Sequence, residues 1–229
     1  WVAATLAELR SLPEARVLDR TAICGYYDHN FLVGCQRFAP GGAQRGPRQR
    51  LWKIRAREVV LATGAIERPL VFPDNDRPGI MLAGAVRGYL NRYGVRAGMR
   101  VLVATVTDDA YRTALELAAA GVAVVAVVDA RAQAQGYLPQ QAAARGIEIL
   151  PGHALVGSEG RMRVSAVQVQ PLAGGSVREL GCDLVAMSGG WIPSVQLFSQ
   201  SRGQLRYDER VAAFVPGEAT QAVRCAGSV

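Results

Sequence analysis

The sequence lacks the short patterns by which redox and metal sites are most often found. It contains no Gly-x-Gly-x-x-Gly and no Cys-x-x-Cys, so it shows neither a usual phosphate-binding loop nor a redox dithiol or a zinc ribbon. Its two histidines need further ligands to build a metal site, and no spacing pattern supplies them, so we expect no metal. The cysteines predict free thiols in a reducing compartment, the cytoplasm; they are Cys24, Cys35, Cys182 and Cys225.

Long apolar runs are also missing. No stretch approaches the roughly 18 continuous apolar residues of a membrane span, so we expect no membrane partner. The start of the chain has no basic lead followed by a long apolar run, which argues against a signal peptide. It also has no initiator Met, and we therefore expect an excised or processed piece of a longer protein.

Positive charge is in excess, with 26 Lys plus Arg against 19 Asp plus Glu. Much of this excess lies between Arg45 and Arg57, and aromatic residues are not interleaved with it as a surface for single-stranded nucleic acid requires. Nucleic acid is therefore not an expected partner. A solvated strand face, or a docking surface for a partner subunit or an anionic ligand, both fit this basic segment.

One pattern occurs twice, first at Glu58–Ala65 and again at Asp183–Gly190. An acidic residue opens each copy, four small or apolar residues follow, and a hydroxyl residue and a glycine close it. Each copy predicts a buried strand that ends in a sharp turn. A tight turn in any α/β protein would explain one copy, whereas two copies favour two related nucleotide folds, one inserted in the other. The candidate cofactor-binding residues are Thr63, Gly64, Ala65, Ser188, Gly189 and Gly190.

A strand–helix–strand unit is predicted from the strand 101–104, the helix 109–120 and the Val/Ala-rich strand 122–128. The turn where a phosphate loop is expected has no glycine. Asp108 and Asp109 are expected to cap the helix, and they would repel a pyrophosphate. Asp129 stands where an acid of an NAD site holds the ribose, which makes it a further cofactor-binding candidate. A structural unit, an atypical nucleotide site and a partner surface all remain open.

The remaining pattern completes an α/β fold of the Rossmann-like FAD/NAD(P)-binding class, with a βαβ core and an antiparallel β insert. Helices are predicted at 3–10, 81–93 and 139–145. The insert is predicted from 163–170 and 176–180, and a proline-rich crossing at 69–79 is a candidate domain boundary. The other expectations are strands at 16–20, 31–38, 51–56 and 147–150, a polar aromatic turn at 21–30, and a loop at 39–49.

Several long motifs resemble the alpha subunit of heterotetrameric sarcosine oxidase and its relatives among proline-, opine- and hydrogen-cyanide-synthase-type enzymes. They are Gly25–Asn30, Glu58–Phe72, Asn75–Met81, Met187–Trp191 and Leu197–Ser201. The resemblance implies a flavoprotein fold with two dinucleotide-binding domains. Residues 1–71 and 191–229 would form part of an outer domain, and 72–190 an inner NAD(P)-binding-like domain.

The same resemblance implies oxidative demethylation of sarcosine, or of a related secondary amine or amino acid, at a flavin on another subunit. This chain would then hold no catalytic residue. The full-length parent would bind NAD or FAD, while the isolated chain is expected to bind neither, to be inactive and to self-associate. The expected partners are the other subunits of the complex. A non-catalytic interface domain with a degenerate nucleotide site, and a pyridine-nucleotide-dependent flavoprotein reductase, are the alternatives.

Overall fold

The computed structural model describes residues 1–38 and 47–228, which form two compact units. The first unit comprises Trp1–Ala65 and Pro193–Val229, and the second comprises Ile66–Ile192. Most of the predicted loop 39–49, with Arg45, lies outside the described residues. Within the described ranges no helix is long and apolar enough to cross a membrane. The assignment of an outer and an inner nucleotide-binding domain stays a prediction.

Helices and strands alternate between Ile80 and Pro151, and consecutive strands make up most of the rest of the described chain. The helices are α1 (Val2–Ser11), α2 (Ala83–Tyr93), α3 (Asp109–Ala119), α4 (Tyr137–Ala144) and α5 (Gln196–Gln200). The strands are β1 (Thr21–Tyr27), β2 (Phe31–Arg37), β3 (Gln49–Arg55), β4 (Val59–Leu61), β5 (Ala65–Glu67), β6 (Ile80–Leu82), β7 (Arg100–Thr105), β8 (Ala123–Asp129), β9 (Ile149–Pro151), β10 (His153–Glu159), β11 (Ala166–Pro171), β12 (Arg178–Gly181), β13 (Leu184–Ser188), β14 (Trp191–Pro193), β15 (Leu205–Asp208), β16 (Ala213–Pro216) and β17 (Val223–Cys225).

The first unit is built mainly from short sheets. Strands β1, β2 and β3 form an antiparallel meander, β15 and β16 form a hairpin, and β4 pairs in parallel with β17. Its core joins Tyr26 and Leu32 of the meander to Leu61, Phe198 and Val223. The late segments of the chain therefore pack against the early ones to complete this unit.

The start of the meander corrects two expectations. The predicted strand 16–20 is wrong, and the predicted turn 21–30 is confirmed only at 28–30, because β1 occupies Thr21–Tyr27. Its register with β2 shifts between Ile23 and Gly25, and this irregularity breaks the alternation by which a strand is recognised. The turn is confined to the residues after Tyr27, where His29 and Asn30 adopt φ values of 58° and 49°.

A buried polar network fixes this turn. The hydroxyl of Tyr26, which is fully buried, donates to Asn30 Oδ1 at 2.7 Å. Asn30 Nδ2 in turn donates to the carbonyl oxygens of Arg57 at 2.9 Å and Ala222 at 3.2 Å. The network thus connects the meander to the segments that lead into β4 and β17.

A five-stranded sheet with the order β6-β13-β7-β8-β9 forms the centre of the second unit, and all its neighbouring strands are parallel. Its strands are rich in Val, Ala and Leu because both faces are covered. Helices α2, α3 and α4 pack on one face, around Val103, Leu117 and Ala186. The antiparallel sheet β10-β11-β12 covers the other face, around Leu102 and Val167. The predicted α/β fold class is confirmed.

The four predicted helices are confirmed, whereas α5 was not predicted and the insert was predicted only in part. Helix α2 ends at Gly94, whose φ of 65° is the left-handed conformation that glycine adopts without strain. Strands β11 and β12 follow the predicted alternation, but β10 was missed. Its register with β11 shifts between Leu155 and Gly157, and this irregularity hides the two-residue period.

We expect the buried hydroxyl of Tyr26 to stabilise the first unit. Tyr26→Phe leaves Asn30 Oδ1 without its donor, and the free energy of unfolding should fall by about 1–3 kcal/mol. Tyr27→Phe is the matched control because Tyr27 is 47% exposed; its effect should stay within about 0.5 kcal/mol. Urea denaturation measures both, and equal losses in the two variants would contradict this role.

Candidate functional site

The carboxyl ends of the parallel strands meet at one edge of the second unit, and helices α2 and α3 begin there. Ligands of open α/β sheets bind at this edge because loops and helix N-termini converge on it. Of the predicted site residues, Ser188, Gly189, Gly190 and Asp129 belong to this edge. Thr63, Gly64 and Ala65 belong to the first unit instead.

Asp129 is fully buried at the end of β8, and both of its carboxylate oxygens are engaged. Oδ2 accepts from the Tyr111 hydroxyl at 2.8 Å and from Arg131 Nη2 at 2.7 Å. Oδ1 accepts from Arg131 Nε and from the Arg131 backbone N–H, both at 3.0 Å. A ribose hydroxyl would have to displace one of these donors in order to bind Asp129.

Arg131 joins this carboxylate to the start of α3. Its Nη1 lies 2.7 Å from Asp108 Oδ1, so one guanidinium compensates two carboxylates. The hydrogen bond to Asp129 raises the pKa of Arg131 above its usual range, and the contact with Asp108 adds to the effect. Burial raises the pKa of Tyr111, and its hydrogen bond to Asp129 raises it further, so Tyr111 stays a donor. We call these four residues the Asp129 cluster.

The expectation that Asp108 and Asp109 cap α3 is confirmed for their positions at the start of the helix, with Asp109 in its first turn, but not for a side-chain hydrogen bond at the cap. Asp108 occupies the N-cap position without a side-chain cap hydrogen bond. Its φ of −70° and ψ of −25° are helical, whereas a capping side chain needs an extended backbone at this position. Asp109 Oδ1 instead lies 3.7 Å from Arg87 Nη1. Both acids are compensated by arginines.

The turn between β7 and α3 does not fit a dinucleotide bound in the usual Rossmann manner. A pyrophosphate needs free backbone N–H groups that it can approach closely. Here the Thr107 N–H already donates to Thr105 Oγ1 at 2.9 Å, and carboxylates stand at the two following positions. Asp129, the acid predicted to bind a ribose, is engaged by Arg131. This turn is therefore not suited to hold a dinucleotide.

In the second copy of the repeated pattern, Gly189 is closely approached by the protein's own backbone. A Cβ on Gly189 would lie 3.0 Å from the carbonyl oxygens of both Arg68 and Pro69. The Gly189 N–H donates to the Arg68 oxygen at 2.6 Å, and the Arg68 N–H donates to the Gly190 oxygen at 2.8 Å. A cofactor role for Ser188, Gly189 and Gly190 stays a prediction.

The first copy of the pattern, Glu58–Ala65, differs from the second in the space beside its glycine. Gly64 has a φ of 70°, and no described atom lies within 4 Å of the position that a Cβ would take. Thr63 Oγ1 donates to the Ser194 oxygen at 2.7 Å, and the Ser194 N–H donates to the Gly64 oxygen at 2.9 Å. Glycine is thus required by the backbone conformation, and the space beside it is free. The cofactor role of Thr63, Gly64 and Ala65 also stays a prediction.

A small cavity of about 90 Å³ lies on the insert side of the same sheet edge. Its lining is mostly apolar, from Leu70, Phe72, Ala104, Val128 and Leu155. His153 contributes to it, and its Nδ1 lies 2.7 Å from the Pro151 oxygen. This mostly apolar lining does not favour phosphate. Nor do the side chains of residues 1–38 and 47–228 include a His, Cys, Asp and Glu grouping able to hold a metal ion.

The chain is similar along its whole length to known alpha subunits of sarcosine oxidase, although no family model matches it. It is 46% identical over 242 residues to sarcosine oxidase subunit alpha of Corynebacterium sp. (strain P-1), covering 100% of this chain and 24% of that one. It is 41% identical over 228 residues to the same subunit of Rhizobium meliloti (strain 1021), covering 97% and 22%. The chain thus spans about a quarter of these relatives' length. The resemblance predicted from the motifs is confirmed.

Solved structures agree on the fold. Thioredoxin reductase of T. acidophilum superposes with a TM-score of 0.67 at 16% identity, covering 100% of this chain and 71% of that one. A FAD-dependent pyridine nucleotide-disulphide oxidoreductase of Desulfovibrio vulgaris gives 0.60 at 18% identity, covering 91% and 54%. At these identities the likeness shows the fold alone, and it is the Rossmann-like α/β fold that the sequence predicts.

We expect Arg131→Ala to destabilise the second unit by about 2–3 kcal/mol, because it leaves the buried Asp129 carboxylate with Tyr111 as its remaining side-chain donor. Arg178→Ala is the control, since its ion pair with Glu148 is exposed on both sides and should contribute little. Thermal unfolding of the two variants measures the difference. An Arg131 variant as stable as the Arg178 variant would show that the Asp129 cluster does not hold this edge together.

Proposed function

We propose that the chain is the dinucleotide-binding part of a sarcosine-oxidase-like alpha subunit, in a complex that oxidatively demethylates sarcosine or a related secondary amine or amino acid. The observation that carries this proposal is the identity of 41–46% to sarcosine oxidase alpha subunits over the whole chain. The Rossmann-like fold supports it. The partners are the other subunits of the complex, and the chain itself contributes no group that reacts with the amine.

The dinucleotide of the full-length protein, NAD or FAD, is assigned to the first unit. The free space beside Gly64 and the exposed Thr63 suit a cofactor that passes close to the backbone, and Ala65 follows on the same turn. The crowding around Gly189 and the hydrogen bonds of Asp129 argue against dinucleotide binding at the corresponding edge of the second unit. When bound, such a cofactor supplies redox or binding chemistry, and these residues position it.

The alternative of a non-catalytic interface domain is favoured for the second unit alone, because the Asp129 cluster fills the place of a ribose and a pyrophosphate. A pyridine-nucleotide-dependent reductase is less well supported. Such an enzyme needs a dithiol or a nucleotide site, whereas Cys24, Cys35, Cys182 and Cys225 are free thiols and the turn after β7 does not fit a dinucleotide.

A chimeric alpha subunit tests the proposal. The matching 242-residue segment of the Corynebacterium sp. (strain P-1) subunit is replaced by this chain, and the chimera is produced with that organism's other subunits. We expect an assembled complex whose sarcosine-dependent oxygen consumption is within about tenfold of the parent's. An assembled complex without sarcosine-dependent oxygen consumption would contradict the proposal.

The same chimera tests the cofactor assignment through two glycines of similar conformation. Gly64 and Gly174 have φ values of 70° and 86°, and neither has a described atom near its Cβ position. Valine therefore introduces comparable backbone strain at both. We expect Gly64→Val to lose the bound dinucleotide and Gly174→Val to retain it, as measured by mass spectrometry of released nucleotide. Equal retention in both variants would place the cofactor elsewhere.

A further inference from the structure

Several buried polar atoms at the carboxyl edge of the second unit have no hydrogen-bond partner among the residues that the structure describes, and those of interest here lie outside the Asp129 cluster. They are Glu67 Oε1, Thr107 Oγ1 and Ser188 Oγ. Glu67 is 8% exposed and Ser188 is fully buried. Buried polar atoms in native proteins are nearly always paired with protein, water or a ligand. We therefore expect these three atoms to contact a bound water molecule or ligand.

Contacts within the unit bring Ser188 and Thr107 to one place. Ser188 pairs with Thr105 between β13 and β7, and its carbonyl oxygen accepts from the Val106 N–H at 3.2 Å. Thr107 follows directly, and its Cγ2 lies 3.5 Å from the position that a Cβ on Gly190 would take. The two unpaired hydroxyls therefore belong to adjoining turns.

Glu67 lies on a segment that adjoins the turn after β13. The Arg68 N–H donates to the Gly190 oxygen at 2.8 Å, which places Glu67 beside the turn after β13. Glu67 Oε2 accepts from the Gly84 N–H at 2.8 Å, at the start of α2. Strand β6, which leads into α2, pairs Leu82 with Met187, the neighbour of Ser188. We give the name Glu67 crevice to this part of the carboxyl edge, where Glu67, Thr107 and Ser188 lie on adjoining segments.

The direction of Ser188 follows from the alternation of β13. Leu184 and Ala186 pack in the core on the helix side, whereas Val185 and Met187 pack on the insert side. Ser188 continues the helix-side row. Its hydroxyl therefore points between the first turns of α2 and α3, toward the part of the edge where Glu67 contacts α2.

The atoms of the Glu67 crevice suit a positively charged hydrogen-bond donor. A carboxylate accepts only, and a hydroxyl can accept as well as donate. Carbon Cη2 of Trp191 lies 3.8 Å from the Cβ position of Gly84, which Glu67 Oε2 also contacts, so an indole ring adjoins the carboxylate. Carboxylate, hydroxyls and an aromatic ring together are a typical environment for a substituted ammonium group. The carboxylate of Glu67 argues against phosphate.

We propose that the Glu67 crevice binds a protonated amine, whose N–H groups donate to Glu67 Oε1, Ser188 Oγ and Thr107 Oγ1. The inference uses contacts within the second unit only. The amine-binding proposal therefore does not depend on a role of the chain in sarcosine oxidation. An inactive chimera would not contradict it.

Titration of the chain with methylammonium chloride tests the proposal, with sodium chloride at the same concentrations as the reference for ionic strength. We expect a saturable rise in melting temperature and a saturable change in tryptophan fluorescence. Tetramethylammonium carries the same charge without an N–H donor, and its binding should be weaker by about tenfold or more.

Variants distinguish methylammonium binding at this site from unspecific effects of salt on the chain. Glu67→Gln should weaken methylammonium binding by about tenfold or more. Ser188→Ala should weaken it severalfold while keeping or raising the melting temperature without amine, because it removes a buried unpaired hydroxyl. Glu179→Gln, at an exposed position of β12, is the control and should bind like the unchanged chain.

Three results would overturn the proposal. The first is the absence of saturable binding up to about 100 mM methylammonium, which would leave water as the occupant. The second is equal binding of tetramethylammonium, which would exclude the hydrogen bonds. The third is unchanged binding by the Glu67→Gln variant when the Glu179→Gln variant is also unchanged.

Discussion

A carboxylate that is fully buried must be compensated, and the way in which Asp129 is compensated determines what the edge of the second unit can hold. In a dinucleotide-binding βαβ unit the acid after the second strand is left free for a ribose. Here Arg131, two residues further on, folds back onto Asp129 with its backbone N–H, Nε and Nη2, while Nη1 reaches Asp108. The ion pairs of the protein thus fill the region where ribose and pyrophosphate would lie.

This constraint separates two segments that look alike in the sequence. Both copies of the acidic–apolar–hydroxyl–glycine pattern form strands that end in sharp turns. No described atom lies within 4 Å of the Cβ position of Gly64, whereas that of Gly189 is crowded by the carbonyl oxygens of Arg68 and Pro69. The pattern therefore encodes the strand and its turn, and the surrounding chain decides whether a ligand can approach. Next to the crowded copy, the Glu67 crevice is left with acceptors that suit a cation better than a phosphate.

Much of the fold could be predicted because it rests on local patterns. Local sequence predicts the strands β7 and β8 from their Val/Ala runs, and it predicts helix α2 and its end from an apolar face and the glycine at 94. The long motifs indicated the sarcosine oxidase resemblance. The irregular strands β1 and β10 could not be predicted, since their register shifts erase the two-residue period. The candidate site was harder to predict from the sequence than the fold. Nothing local shows that Arg131 turns back onto Asp129, or that Glu67, in a polar segment before a proline, is buried against α2.

The central claim is that the second unit retains the Rossmann framework while its edge is closed to a dinucleotide. The most direct measurement is the amide NMR spectrum of the ¹⁵N-labelled chain during titration with NAD. The account predicts no saturable shift of the amides at 105–110 and 129–131, whatever happens in the first unit. Saturable shifts at these positions with a Kd below about 1 mM, lost in Asp129→Ala, would contradict it.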